Sequence, residues 1–330
     1  MEIGLIVPAG TPPTGGNRIT AFRLEGTLKA NGVHAEVYEY GDPLPRLDVY
    51  HAFNAVQVGM RLIQDGISAA RIVSTWTGTD LWQDWAADAR VIRRELAAVS
   101  NHVVFTADAR GRLLQEAPDW ESRVVVVPPA VDTAVFHPGV DSIRTPYPFV
   151  LLAGGVRPVK RSAWAVELVE NLRTTQPDIH LVIAGPVRDV EEAERVRAAA
   201  DGRPWVHLVG EIDKNEMPRW YRSAALVINT SRIEGLSNAL MEALASGALV
   251  LASDIAGNRA IVTDGENGAL FAGEDEFCLK AETLLKGGPK VEAMRRAARD
   301  HMVRSHSMGV ECQQYMRLYQ EILALGGCRR

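Results

Sequence analysis

Residues 225–247 read Ala225-Leu-Val-Ile-Asn229-Thr-Ser231-Arg-Ile-Glu234-Gly-Leu-Ser237-Asn238-Ala-Leu-Met-Glu242-Ala-Leu-Ala-Ser-Gly247. A short β-branched run of strand length passes into a polar loop, and Ser237 or Asn238 then stands where a helix needs an N-cap. Apolar residues at helical spacing follow until Gly247 stops the helix. This is a strand, a loop and a helix in that order, the building block of a parallel sheet wrapped by helices. The helix N-terminus offers backbone amides to an anion. Glu234 stays on the loop while Glu242 sits about one turn into the helix, so the two carboxylates approach one ligand from different sides. Carboxylates accept sugar hydroxyls well. The residues alone leave a plainer reading open, in which Glu234 caps the helix and Glu242 is a solvated face residue.

The same unit recurs in both directions. Upstream, strands are expected at Ile3–Val7, Ala35–Tyr38, Val49–His51, Arg71–Ser74, His102–Phe105 and Arg123–Val127, with helices near Asn17–Ala30, Leu81–Val99 and Ala107–Glu116. A Pro-rich stretch, Phe136 to Pro148, ends that series and reads as a linker. A second series begins with Phe149–Ala153, Ile179–Ala184, Val206–Val209, Leu226–Ile228 and Leu249–Ala252, separated by helices near Arg161–Arg173, Val190–Ala200, Glu216–Ser223 and Asn238–Ser246. The expected fold is α/β, with two Rossmann-like doubly wound domains over residues 1–140 and 141–305. Residues 306–330 form an amphipathic helix, near Met308–Leu325, that returns to the first domain. Ligands of such sheets bind beyond the carboxyl ends of the strands, so the loops after strands matter most and a cleft between the domains is expected.

Three more such loops carry candidate chemistry. Gly154-Gly155-Val-Arg157-Pro-Val-Lys160-Arg161 joins two glycines, which permit close backbone approach, to three cations placed where they oppose a helix dipole. A diphosphate fits that combination. The loop Pro8 to Arg18, with Gly15, Gly16 and Asn17, can bring amides to a phosphate or an acceptor. Thr75-Trp-Thr77-Gly78-Thr-Asp80 is dense in hydroxyls and ends in a carboxylate that orients an acceptor or caps the next helix. His51 ends a strand and reads more readily as a structural histidine than as a site residue.

Bulk properties narrow the function. The chain has 330 residues, 47% of them hydrophobic, and a net charge of −5, with acidic and basic residues interspersed. No basic face invites nucleic acid. Cys278, Cys312 and Cys328 follow no metal or disulfide spacing and read as reduced thiols. There is no run of the roughly 18 apolar residues that a membrane span requires, and no signal-peptide pattern at the start. The expectation is a cytoplasmic protein with at most peripheral membrane contact. The sequence has no D-x-D triplet and no H-E-x-x-H, so charge neutralisation is expected from Arg157 and Lys160 with no metal and no cofactor. No G-x-S-x-G elbow points to a hydrolase.

Taken together, these segments resemble the retaining glycosyltransferases of the GT-B fold, family 4. The likeness rests on Glu234-x7-Glu242 embedded in Ser231-x-x-Glu-Gly-x-x-Asn-x-x-x-Glu-Ala, followed by Val250-Leu-Ala-Ser-Asp-Ile-Ala-Gly257-Asn and Asp264-Gly-Glu-Asn-Gly268-Ala-Leu-Phe271. Thr14-Gly-Gly-Asn17-Arg-Ile-Thr20 and Thr77-Gly-Thr-Asp80-Leu-Trp are similar to a subgroup that includes selenosugar synthases and glycosyltransferase 1 domain-containing proteins. The resemblance implies a nucleotide-sugar co-substrate, uridine diphosphate sugars first and UDP-N-acetylglucosamine among them, and the absence of a basic amphipathic surface helix in the sequence puts a small soluble acceptor first. It places Glu234, Arg157 and Lys160 at the reaction. Gly16, Gly155, Gly185, Pro186, Gly235, Leu236, Ser237 and Asn238 line the donor, Glu211 and Ile212 its base, and Glu242 its ribose. Asn17, Thr77, Gly78 and Asp80 lie on the acceptor side. A sugar-nucleotide epimerase or hydrolase, or a non-catalytic sugar-nucleotide binder, would use the same architecture.

Overall fold

The computed structural model describes residues 1–13, 15–78 and 80–327, the last three of these by backbone alone. Thr14, Thr79 and Cys328 lie outside the described residues. The chain divides into two compact units, residues 1–130 with the C-terminal helix from Met308, and residues 131–307.

The first unit holds a parallel sheet of six strands, β1 (Glu2–Val7), β2 (His34–Glu39), β3 (Val49–Phe53), β4 (Ile72–Thr75), β5 (Asn101–Val104) and β6 (Val124–Val126), in the order β2-β1-β3-β4-β5-β6. Both faces are covered, and the central strands β3 and β4 are accordingly buried along their whole length and do not alternate. On one face, α1 (Gly16–Ala30) sets Ala21, Leu24 and Leu28 against Ile3, Leu5 and Val7. The returning helix α12 (Met308–Gly327) adds Tyr315, Leu318, Tyr319 and Ile322 to the same core. The other face carries α2 (Arg61–Gln64), α3 (Trp85–Glu95) and α4 (Ala107–Glu116), with Trp76, Trp85 and Trp120 as the bulk of the packing.

The second unit repeats the plan. Its strands are β7 (Phe149–Ala153), β8 (His180–Ala184), β9 (Val206–Gly210), β10 (Leu226–Asn229), β11 (Val250–Ser253) and β12 (Ala269–Phe271), parallel and ordered β12-β11-β10-β7-β8-β9. Helices α5 (Ser162–Leu172), α6 (Val190–Ala200) and α10 (Glu274–Leu285) bury one face. On the other lie α7 (Met217–Ser223), α8 (Asn238–Ala245) and α11 (Pro289–Ser305). A short turn, α9 (Ala256–Arg259), follows β11.

The expected strands are present with ends shifted by a residue or two. The sequence reading lacked β12, α10, α11 and the helical segment that opens as a π-turn at Ala55–Met60 and runs into α2. The change of unit comes ahead of the Pro-rich stretch, not at residue 140. The Val131 amide donates to the His306 carbonyl at 2.8 Å, Phe136 is buried in the second unit's core, and Arg299 holds the Thr133 and Phe136 carbonyls at 2.9 and 2.7 Å. These contacts make residues 131–136 part of the second unit. No described helix is long and apolar enough to cross a membrane.

Candidate active site

In the second unit the chain builds outward from β7 through β8 to β9, then returns to lay β10 on the other side of β7. Where the direction of winding reverses, the loops leaving two neighbouring strands part and leave a crevice. Here the two loops are Gly154 to Lys160 after β7 and Thr230 to Ser237 after β10. They bring Lys160 and Glu234 into a salt bridge across 74 residues of chain.

Glu234 is held from one side. Its Oε1 receives Lys160 Nζ and the Ser231 hydroxyl at 2.6 Å, and the Asn229 amide approaches it at 3.5 Å, the outer limit of a hydrogen bond. Among the described residues none donates to Oε2. The side chain is 7% exposed and that of Lys160 12%. Burial pushes the carboxyl's pKa up, yet the charge and hydrogen bond of Lys160, the Ser231 hydroxyl and the charge of Arg157 outweigh it and hold it below the ordinary value. Glu234 is therefore ionised at neutral pH, with one oxygen anchored and the other able to accept.

The two loops are stitched together beneath this pair. The Thr230 hydroxyl donates to the Lys160 carbonyl at 2.7 Å, and the Arg232 amide to the Val159 carbonyl at 2.8 Å. Arg161 takes a left-handed backbone (φ 51°), places its guanidinium 4.0 Å from the Trp164 ring and donates from Nε to the Thr230 carbonyl at 2.6 Å. Arg161 is thus a buttress, which corrects the reading of three cations facing a diphosphate; Arg157, exposed, and Lys160 remain. From the side of β8, Gly185 (φ 149°) lies so close that a Cβ there would meet the Gly154 carbonyl oxygen at 2.1 Å, and the Pro186 carbonyl accepts the Val156 amide at 2.9 Å. Gly185 and Pro186 therefore shape the Gly154–Gly155 turn by backbone contact.

Gly235, Leu236, Ser237 and Asn238 carry the loop into α8. Ser237 occupies the N-cap position, but its hydroxyl does not cap; it lies 3.4 Å from the Asn229 amide. Glu234 does not cap either. Glu242 accepts the Tyr221 hydroxyl of α7 at 3.0 Å, so the solvated-face alternative is set aside for it as well. Beyond β9, Glu211 is exposed, and Ile212 is half-buried against the core that contains α7 and α8.

In the first unit, Gly16 opens α1 and is exposed, with Asn17 half-buried beside it. A salt bridge from Arg18 to Glu39 steadies the loop before it, and Glu39 also receives the Gly10 amide at 3.2 Å. Asp80 corrects an expectation. It is fully buried, its oxygens accepting the amides of Thr77 and Gly78 at 2.9 Å, Ala55 at 2.8 Å and Leu81 at 3.1 Å. Burial raises its pKa to about 6 against these four hydrogen bonds. It clasps the loops after β3 and β4 and presents no carboxylate outward, while Thr77 and Gly78 turn their amides to it. His51 is structural: buried between the Tyr319 hydroxyl at 2.7 Å and the Thr75 hydroxyl at 2.6 Å, it has its pKa driven down to about 3 by burial. Sequence reasoning did not single out Asn229, Tyr221 or Asn258 as parts of the site. The one available signal was an asparagine closing an apolar strand.

Two doubly wound parallel sheets of this order, with a terminal helix returned to the first, are the GT-B fold. Residues 147–287, which contain both loops of the site, match the model of the glycosyl transferases group 1 family. Glycosyltransferase 1 domain-containing protein 1 of Xenopus tropicalis is 24% identical over 92% of this chain and 93% of its own. The D-inositol 3-phosphate glycosyltransferase of Acidothermus cellulolyticus is 30% identical over 64% of this chain, a match that spans about half (51%) of that protein's length. Among solved structures, sucrose-phosphate synthase from Thermosynechococcus elongatus superposes with a TM-score of 0.81 at 17% identity, covering 98% of this chain and 100% of that one. Anabaena HepE, solved with UDP and glucose, superposes with a TM-score of 0.75 at 14% identity, covering 97% and 99%.

Proposed function

We propose that this chain is a retaining glycosyltransferase that takes a sugar from a uridine diphosphate sugar and passes it, without a divalent metal, to a small soluble acceptor in the cytoplasm. The observation that carries this reading is Glu234, an ionised carboxylate with Oε1 held by Lys160 and Ser231 and Oε2 left to accept a hydroxyl. Its position at the reversal of strand order sets it where a donor binds in such sheets. In the proposed mechanism Oε2 takes a hydroxyl of the transferred sugar. Lys160 and Arg157 lie against the diphosphate, and the first amides of α8 face it. As the glycosidic bond breaks, negative charge grows on the departing β-phosphate oxygen. The two cations stabilise it without having to reorganise. Glu242, fixed by Tyr221, receives the ribose hydroxyls.

The donor class is supported by HepE, solved with UDP-glucose. A small polar acceptor is supported by the relatives named for D-inositol 3-phosphate. The test is thermal unfolding in EDTA with UDP, GDP, ADP and their sugars, on the wild type, Arg157→Ala and Glu234→Gln. A ligand at one hundred times its Kd adds about 2.7 kcal/mol. Stabilisation of the wild type by one diphosphate class, lost in Arg157→Ala, supports the donor site. Turnover lowered roughly 100-fold in Glu234→Gln supports the role of that residue. No shift with any diphosphate sinks the reading, and binding without turnover replaces it by a sugar-nucleotide sensor.

A further inference from the structure

The polar groups beneath Glu234 form a chain that leads away from both loops of the site to the turn after β11. Asn258, on α9, has no exposed surface. Its Nδ2 donates to the Ser253 carbonyl at 2.8 Å, to Asn229 Oδ1 at 3.2 Å and toward the Ser253 hydroxyl at 3.4 Å. Asn229 Oδ1 also receives the Ser231 amide at 3.0 Å. With two donors on that oxygen, the Asn229 amide has one satisfactory orientation, and it turns Nδ2 toward Glu234 Oε1 and the Ser237 hydroxyl. A second arm runs from Ser253, whose hydroxyl donates to the Ser231 carbonyl at 2.6 Å. The third contact is steric: a Cβ at Gly257 would lie 2.3 Å from the Glu234 carbonyl oxygen and 2.9 Å from that of Gly235, so the turn presses directly on the peptide after Glu234.

We infer that Asn258 is a positioning residue for Glu234, fixing the Asn229 amide and the Ser231–Gly235 loop so that Glu234 Oε2 meets the sugar of the donor. The inference rests on the reading of Glu234 as the sugar-binding carboxylate. Asn258 touches neither sugar nor phosphate in this account. Its effect passes through Asn229 and Ser253, all within the buried polar layer between β10 and β11. Asn258→Asp keeps the shape of the side chain but sets carboxylate oxygens against Asn229 Oδ1 and the Ser253 carbonyl. The Asn229 amide then loses its fixed orientation, and Glu234 loses its register with the sugar, while Lys160 and Arg157 still hold the diphosphate.

The experiment compares Kd for UDP with Kd for UDP-glucose and UDP-N-acetylglucosamine, together with donor hydrolysis, in the wild type, Asn258→Asp, Glu234→Gln and the double variant. Asn258→Asp should bind UDP within about twofold of the wild type. The extra affinity contributed by the sugar, and the rate of donor hydrolysis, should fall about tenfold, the scale of one buried hydrogen-bond arrangement. In the Glu234→Gln background the same change should cost less than about twofold more, because residues acting through one group are not additive. Ser253→Ala, a smaller lesion that leaves Asn258 in place, should move the same quantity in the same direction. Equal loss for UDP and UDP-sugar, or an undiminished loss in the Glu234→Gln background, overturns the positioning role and leaves the donor reading standing. If Glu234→Gln itself preserves the sugar's contribution, or the wild type binds no UDP, the donor reading falls and this inference with it.

Discussion

Replacing Lys160 by Met removes the charge that faces Glu234 and keeps most of the side chain's length. Both partners are nearly enclosed, at 12% and 7% exposure, so salt and water screen the pair weakly. Removing one member of a buried pair costs about 3–5 kcal/mol. Glu234 keeps the Ser231 hydroxyl and the neighbouring Arg157, which places the loss near the lower end, about 3 kcal/mol. A unit of the size of residues 131–307 loses roughly 2–4 °C per kcal/mol, so its melting temperature should fall by roughly 6–12 °C at pH 7. The pH dependence is sharper than the magnitude. In the wild type the Glu234 pKa lies below its ordinary 4.5, so the pair's stabilisation is full above that pH and is lost as pH falls through the folded value. Without Lys160, burial raises the carboxyl's pKa, and the variant instead loses stability as pH rises above 4.5. The gap between the two proteins should therefore be wider at pH 7 than at pH 4.5, and Glu234→Gln added to Lys160→Met should recover much of the difference. Calorimetry at the two pH values checks this. A loss under about 0.5 kcal/mol at pH 7, the ordinary worth of a surface pair, or an equal gap at both pH values, refutes the reasoning.

Gly185→Ala must place a Cβ 2.1 Å from the Gly154 carbonyl at φ 149°, and urea unfolding should register a loss of about 2–4 kcal/mol with weaker UDP binding. In the first unit, burial holds the pKa of His51 and of His102 at about 3 and raises that of Asp80 to about 6. Between pH 6 and 4, unfolding takes up one proton on each histidine and releases one from Asp80, so these three groups should together lower stability by about 1.4 kcal/mol per pH unit as the solution is acidified. Asp80→Asn should steepen the slope by about 1.4 kcal/mol per pH unit in denaturant titrations. Tyr221→Phe deletes the hydrogen bond to Glu242 and should cost about 1 kcal/mol of stability. The same variant should narrow the preference for UDP over 2′-deoxy-UDP in competition binding.

The parallel sheets were legible where a central strand buried on both faces is apolar along its whole length, as Phe149–Ala153 is. Strand β12, three residues long, has too few positions to show a pattern. The helical segment at Ala55 was hidden for another reason. It opens as a π-turn after Asn54, whose backbone takes φ 89° and whose side chain caps Val56 and Gln57, so the 3.6-residue period is absent at the very start of the helix. For the site, the loops were legible and the contacts were not. That Lys160 meets Glu234 follows from β10 lying beside β7, a fact of topology that no local spacing encodes. Asp80 sat in a suitable loop, yet its direction was decided by four amides, one of them, that of Ala55, 25 residues away.

The placement of α12 bears on how the chain is made. Synthesis delivers all six strands of the first sheet by Val126, but one face of that sheet is finished only by Tyr315, Leu318, Tyr319 and Ile322. At roughly 5–20 residues per second, the ribosome needs on the order of ten seconds or more to add the intervening stretch. During that interval the first unit waits with the sheet face at His51, which meets Tyr315 and Tyr319, uncovered, while the second, continuous from Val131 to Ser307, can close on its own. The part of the protein that leaves the ribosome first is the last to be completed, so a nascent chain stalled before Met308 carries a ready second unit beside an open apolar face that chaperones would recognise.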